Sequence, residues 1–256
     1  MNNPANVVPV APPAISAPIG LRPVSAAEGY ERWAPIYDHE PNPLLSREER
    51  HLFPLLANLR KRRLLDLACG TGRWLQRLSS QGSELGVGLD RSGAMLRVAS
   101  RKSEITGRLT RAACESLPFR GGVFELALCS FALGHFADVE LIASELARVT
   151  APGADLFVSD LHPDAYDLGW RVGFRDKSSA VQIETVSRSI EDIIQTFRSN
   201  GFESQTHVAL WLEEPEKPIF ERAGKSDLFA EACQSPSILV FHFRRLHVPD
   251  DVRGAQ

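Results

Sequence analysis

The sequence is poor in cysteine, with Cys69, Cys114, Cys129 and Cys233 the only four in 256 residues, and no two form a C-x-x-C pair. Such spacing excludes a disulfide scaffold or a structural zinc site as the organising device, and it fits a reducing, cytoplasmic compartment. Long apolar runs are missing too. A membrane helix needs roughly 18–20 apolar residues, whereas the richest stretch here, Val123 to Leu133, is broken by Glu125. Positive charge is not in excess, since 29 Lys and Arg face 32 Asp and Glu for a net charge of −3. Without a basic surplus or a basic-aromatic stripe, nucleic acid is not the expected partner. No internal repeat is visible, and the opening residues lack the basic start and continuous apolar core of a secretory leader.

What is present is unevenly distributed. Residues 1–27 hold six of the 17 prolines and a single charge, Arg22. Proline fixes φ and donates no backbone hydrogen bond, so this stretch reads as an extended arm. Residues 28–248 read as one domain and residues 249–256 as a polar tail. A chain of this size buries roughly 70–75% of its unfolded surface and needs no covalent staple.

Within the domain, strand and helix patterns alternate. Leu64 to Ala68 reads as an apolar strand after the solvated basic run Arg60 to Arg63, and a glycine turn leads from it into a helix from about Thr71 to Ser80. Gly86 to Asp90 is a second strand, followed by a helix from Ser92 to about Ser100. Leu109 to Ala113 is a weak third strand and Phe124 to Ser130 a fourth. Val139, Ile142, Leu146 and Val149 mark one face of a helix over 137–149, which Pro152-Gly153 stops before a fifth strand at Leu156 to Ser159. Ser189 suits the N-cap of a helix carrying Ile190, Ile193, Ile194 and Phe197, with Asn200-Gly201 at its end. Two later strands, about Thr206 to Leu212 and Ser237 to Phe243, flank a longer insertion. This order predicts an α/β, Rossmann-like doubly wound sheet, mostly parallel with an antiparallel last strand and helices on both faces. Ligands in such sheets bind outside the carboxyl ends of the strands.

The first strand runs into Asp66-Leu67-Ala68-Cys69-Gly70-Thr71-Gly72. A dinucleotide turn would read G-x-G-x-x-G, with amides aimed at a pyrophosphate. Here a carboxylate, Asp66, stands at the strand end, where it repels phosphate and attracts an ammonium group. Asp90 closes the second strand, where an acidic residue accepts hydrogen bonds from ribose hydroxyls. Together the two features describe a ligand with a ribose, an amino-acid end and no phosphate, and S-adenosylmethionine fits that description.

With these residues the sequence resembles the class I S-adenosylmethionine-dependent methyltransferases. Asp66 to Arg73 resembles their glycine-rich loop. Leu89-Asp90-Arg91-Ser92 followed by Met95-Leu96 resembles their ribose-binding segment. Cys114-Glu115-Ser116-Leu117-Pro118-Phe119 resembles their adenine-side motif, and Phe124 to Ser130 their fourth strand. Tyr30 to Asp38 resembles the N-terminal cap helix of the branch that includes ubiquinone and menaquinone methyltransferases. The resemblance implies cofactor contacts from Asp66, Ala68, Cys69, Gly70, Gly72, Asp90, Arg91, Met95, Cys114, Glu115, Ser130 and Phe131. Two positions depart from the pattern. Ala68 stands where the family usually has glycine, and Ala113 where an aspartate often meets the adenine amino group.

Catalytic groups are harder to name. Displacement at a sulfonium mainly needs alignment, and a base only when the nucleophile still holds its proton. His135 follows the fourth strand on a loop that faces the cofactor in the family. It either takes a proton or packs against the adenosyl group. His162, just past the fifth strand, is a second candidate. Tyr37 either closes over the methionine end or belongs to the core, and Arg73 either meets the cofactor carboxylate or lies exposed. The stretch 161–180 carries Tyr166, Trp170, Arg171, Phe174 and Arg175 and reads as a substrate cover. No three carboxylates suggest a metal, and the Ser130-Phe131-Ala132-Leu133 segment lacks the Pro-Pro of amino-group methyltransferases. A small molecule with an O, N or C nucleophile is the expected acceptor, with a protein acceptor or a non-catalytic cofactor-binding module as alternatives. Oligomeric state is not legible.

Overall fold

The computed structural model describes residues 22–59, 63–80, 86–176 and 179–247. The arm up to Leu21, most of the basic run and the polar tail lie outside the described residues.

The glycine and valine-leucine segments form a seven-stranded sheet. Strand β1 (Leu64–Leu67) is an inner strand, third of the seven, and all four of its residues are buried because helices cover both faces. Its parallel neighbours are β2 (Gly86–Asp90), which pairs in turn with β3 (Leu109–Arg111), and β4 (Phe124–Ser130), which pairs with β5 (Thr150–Leu161). A small antiparallel hairpin, β6 (Gly173–Asp176) with β7 (Ser179–Gln182), stands apart. Strands β8 (Phe202–Leu210) and β9 (Ile238–Arg245) complete the large sheet, and β9, last in the chain, runs antiparallel to both of its neighbours. The order β3-β2-β1-β4-β5-β9-β8 reverses direction of growth at β1, so the crevice above β1 and β4 is the switch point where such sheets bind ligands.

Helices α1 (Ala26–Trp33) and α2 (Pro43–Asn58) precede the sheet. Helices α3 (Arg73–Ser79) and α4 (Gly93–Ala99) follow β1 and β2, and α5 (Val139–Val149) connects β4 to β5. On one face of the sheet Leu52 and Leu56 of α2 pack with Trp74, Leu75 and Leu78 of α3. On the other, Ile142 and Leu146 of α5 meet Ile193 and Phe197. A third, separate cluster joins Trp33, Phe174, Val181 and Ile183, so α1 and the hairpin form one covering layer. That layer begins earlier than the boundary at residue 28: Val24 donates to Gln182 O at 2.9 Å and accepts from Glu184 N at 2.9 Å.

Several elements differ from the sequence pattern. Helix α2 was not expected between the cap segment and β1. Asn42 caps it and Pro43 starts it, but its buried stripe of Leu44, Glu48, Leu52 and Leu56 includes a charge, which masks the apolar period. Strand β5 begins at Thr150 instead of Leu156. Thr150 pairs with Phe124, and the register then shifts past Pro152-Gly153 before resuming at Asp155. The stretch 161–180, expected as a substrate cover, folds as α6 (Pro163–Asp167) plus β6, and none of its described residues lines the main cavity, while α7 (Ile190–Ser199) has the expected cap, Ser189 Oγ accepting from Asp192 N at 3.0 Å. The insertion before β9 folds as α8 (Lys217–Arg222) and α9 (Ser226–Ala232). Strands β8 and β9 sit a few residues from their expected bounds because Ser237 N already pairs with Leu210 O where β8 ends.

Candidate active site

The carboxyl ends of β1, β2 and β4 open into a cavity of about 330 Å³, bordered on one side by α1 and by Tyr37. Asp66, Ala68, Cys69, Gly70, Asp90, Arg91, Met95, Cys114, Glu115, Ser130 and Phe131 all line it, as do His135, Tyr37 and Arg73. Gly72 does not. It sits at φ +75° at the start of α3, and a Cβ there would lie 2.6 Å from Ile105, so its glycine serves the turn itself.

The backbone of the loop is bent hard. Ala68 has φ +54° and Phe131 φ +49°, both in the left-handed region that side chains disfavour. The two residues flank the cavity from β1 and β4, where such strain tends to be stored at functional sites. Ala68 thus occupies a backbone conformation suited to glycine.

Asp66 is buried, and its Oδ2 has no hydrogen-bond partner. Burial, opposed by nearby Arg73, pushes its carboxyl up to about 7. Asp90 is better satisfied. Its Oδ2 accepts from Gly70 N and its Oδ1 from Ser92 N, each at 2.7 Å. This fixes the carboxylate across the mouth of the loop, and burial still raises its pKa. Asp38 ties the cap down, accepting from Thr71 Oγ1 at 2.6 Å and pairing with Lys102 Nζ at 2.8 Å.

The floor holds a cluster that the sequence did not announce. Glu48 of α2 is fully buried and accepts from Arg73, from Ser159 Oγ, from Ser130 Oγ at 2.7 Å and from Trp74 Nε1 at 3.3 Å. Arg73 keeps a buried Nη1 with no hydrogen-bond partner. The signal was Asn42-Pro43, a helix start whose i, i+4 spacing places Glu48 on the apolar stripe.

His135 is clamped from several sides. Its loop carbonyls, Leu133 O and Phe136 O, accept from Arg188 at 3.1 and 2.5 Å. Gly134 N donates to Asp160 Oδ2 at 2.6 Å. The ring itself bridges Glu184 O (3.2 Å from Nδ1) and Tyr30 Oη (2.8 Å from Nε2). Burial lowers its pKa, so the ring is neutral near pH 7. His162, by contrast, does not line the cavity. It is buried at the N-cap of α6, where Nδ1 accepts from Asp164 N at 3.2 Å. Among the described residues no group of three His, Cys, Asp or Glu side chains converges as a metal site.

Comparison with known proteins agrees with this geometry. Residues 65–158 match the family model described as a methyltransferase domain. The chain is 38% identical over 155 residues to a demethylmenaquinone methyltransferase of Thermus thermophilus, covering 56% of this chain and 70% of that protein. It is 33% identical over 150 residues to a 2-phytyl-1,4-naphtoquinone methyltransferase of Synechococcus elongatus, covering 54% and 64%. The solved structure of an S-adenosylmethionine dependent methyltransferase from Mesorhizobium loti superposes with a TM-score of 0.58 at 20% identity, covering 72% and 91%, which speaks to the fold.

Proposed function

The chain belongs to the class I S-adenosylmethionine-dependent methyltransferases, and we propose that its methyl acceptor is a small molecule with a hydroxylated ring, of the reduced-quinone kind. The observation that carries the cofactor half is the orphaned Oδ2 of Asp66. A buried carboxylate oxygen with no partner is costly unless a ligand supplies a donor, and the cofactor's ammonium is such a donor. Asp90, fixed by two backbone amides, would take the ribose hydroxyls. Arg91 and Met95 would flank the adenosine, and Cys114 and Glu115 would meet the adenine side. Ser130 and Phe131 would border the methionine end, together with the guanidinium of Arg73, whose Nη1 makes no hydrogen bond but lies 3.7 Å from Glu49 Oε2. When bound, the cofactor supplies an electrophilic methyl group on an already activated sulfonium.

The protein's part is then to align, to exclude water and to accept a proton. Helix α1 borders the cavity with Ala26, Ala27, Tyr30 and Glu31 and narrows its access to water, which strengthens the electrostatics within it. His135, neutral and held on both ring nitrogens, is the base. Tyr37 lines the cavity with its hydroxyl pushed up to about 12 by burial, so it stays protonated and acts as a donor. The names of the quinone-modifying relatives support the acceptor class. A cavity of about 330 Å³ recessed between α1 and the strand ends supports a small acceptor over a protein one. Free thiols at all four cysteines support a cytoplasmic location. No helix among the described residues is long and apolar enough to cross a membrane.

The test is calorimetric titration with S-adenosylhomocysteine followed by labelled-methyl transfer to 1,4-dihydroxynaphthalene. Tight binding and label on the ring are expected. No binding at about 1 mM, equivalent to about −4 kcal/mol, overturns the cofactor reading.

A further inference from the structure

Two contacts decide how the proton reaches His135. Glu184 O can only accept, so the Nδ1 contact at 3.2 Å is an N–H donation and the neutral ring carries its proton on Nδ1. Nε2 is therefore the acceptor, and Tyr30 Oη, 2.8 Å away, donates to it. The basic nitrogen is already occupied by a tyrosine hydroxyl, and that hydroxyl belongs to a residue which itself lines the cavity. Tyr30 is held edge-on to the imidazole, with ring centroids 5.2 Å apart and planes at 86°, and is stacked on Trp33 at 5.9 Å.

Resting on the reading of His135 as base, we propose that Tyr30 is a further catalytic residue, the hydroxyl that takes the acceptor's proton while passing its own to His135. The acceptor's O–H bond breaks and its proton moves to Tyr30 Oη. The Tyr30 proton moves to His135 Nε2. The electron pair stays on the acceptor oxygen, or is delocalised to a ring carbon beside it, ready for the methyl group. Tyr30 ends as it began, neutral, and the positive charge rests on an imidazolium.

The surroundings agree with a relay in which Tyr30 never dwells as an anion. Its hydroxyl is pushed well above the usual tyrosine range by burial, and the carboxylates of Asp160 and Asp90 further oppose a negative charge there. Asp90 acts the other way on His135, favouring the imidazolium. A phenol or enol matches this relay because its O–H resembles the tyrosine hydroxyl it hands its proton to.

The test uses the full chain saturated with S-adenosylhomocysteine and the chromophoric phenol 4-nitrophenol, at a pH below its pKa in water. Bound phenolate is read from its absorption band. The wild type is expected to ionise the bound probe. Tyr30→Phe, which keeps the ring stack and removes one oxygen, and His135→Gln are expected to lose that band, while S-adenosylhomocysteine affinity stays within about twofold of wild type. With 1,4-dihydroxynaphthalene, Tyr30→Phe should lower kcat by about 10²-fold with KM little changed. A wild type that shows no bound phenolate at about 1 mM probe overturns the relay, as does a Tyr30→Phe variant that ionises the probe like wild type. Failure of the wild type to bind S-adenosylhomocysteine in the same samples instead overturns the cofactor reading.

Discussion

Asp38 and Thr71 are joined by a 2.6 Å hydrogen bond that fastens the cap to the glycine loop, 33 residues away in the chain. The other carboxylate oxygen of Asp38 holds Lys102, whose Nζ also donates to Thr71 O at 2.8 Å. A second tie, Arg97 to Glu31 at 2.8 Å, is more exposed. Asp38→Ala should therefore loosen the cover and raise the dissociation rate of S-adenosylhomocysteine by about 5–10-fold, a loss of about 1 kcal/mol. Stopped-flow displacement measures it, and an unchanged rate would show that the cap does not gate the cofactor.

Asp66 should make cofactor binding depend on pH. Its carboxyl is raised to about 7 by burial, and only the ionised form attracts an ammonium group. As a raised acid, it is protonated below that value, so affinity should fall by up to about tenfold per pH unit below 7 and level off above it. Asp66→Asn should flatten this profile between about pH 5.5 and 7. Titration calorimetry at several pH values distinguishes the two; a sloping profile in the variant would place the titrating group elsewhere.

For the ribose contact, Asp90→Ala should weaken S-adenosylhomocysteine binding by about 1–3 kcal/mol. The change strands ligand hydroxyls and also the amides of Gly70 and Ser92, both now 2.7 Å from the carboxylate. Unaltered affinity would remove Asp90 from the cofactor site.

Ala68→Gly should stabilise the protein. The residue sits at φ +54°, where an L side chain costs roughly 1–2 kcal/mol and glycine nothing. Against that stands the greater freedom of glycine in the unfolded chain, so a net gain of about 0.5–1 kcal/mol is expected in urea denaturation. A destabilised variant would mean that the Ala68 methyl packs better than its backbone geometry suggests.

Glu48→Ala should be severe. It would leave the Arg73 guanidinium in the floor of the cavity without its buried partner, a change that costs about 3–5 kcal/mol. Chemical denaturation would show this directly. A loss under about 1 kcal/mol would mean that water replaces the carboxylate.

The difference between Asp66 and Glu48 also explains what the sequence could reveal. Asp66, Gly70 and Asp90 act through turns and strand ends, where backbone demands are local and leave a readable spacing. The sheet was legible for the same reason, since its inner strands carry their own apolar patterns and Ser92, Asp138 and Ser189 cap α4, α5 and α7. Glu48 acquires meaning only when the chain closes on itself: Ser130 is 82 residues away and Ser159 is 111. Tyr30 meets His135 across 105 residues. His162 shows the converse, because a position just past β5 put it near the site in sequence while its Nδ1 was already committed to starting α6.

The covering layer has its own small core of Trp33, Phe174, Val181 and Ile183, separate from the two clusters that flank the sheet. The layer touches the segments that follow the strand ends elsewhere, through Tyr30 and Tyr37 against Met95 and through Asp38 against Thr71. Because that small core is held by contacts of its own, substitutions at Trp33, Phe174, Val181 or Ile183 should alter how α1 sits over the cavity while leaving the two sheet clusters packed.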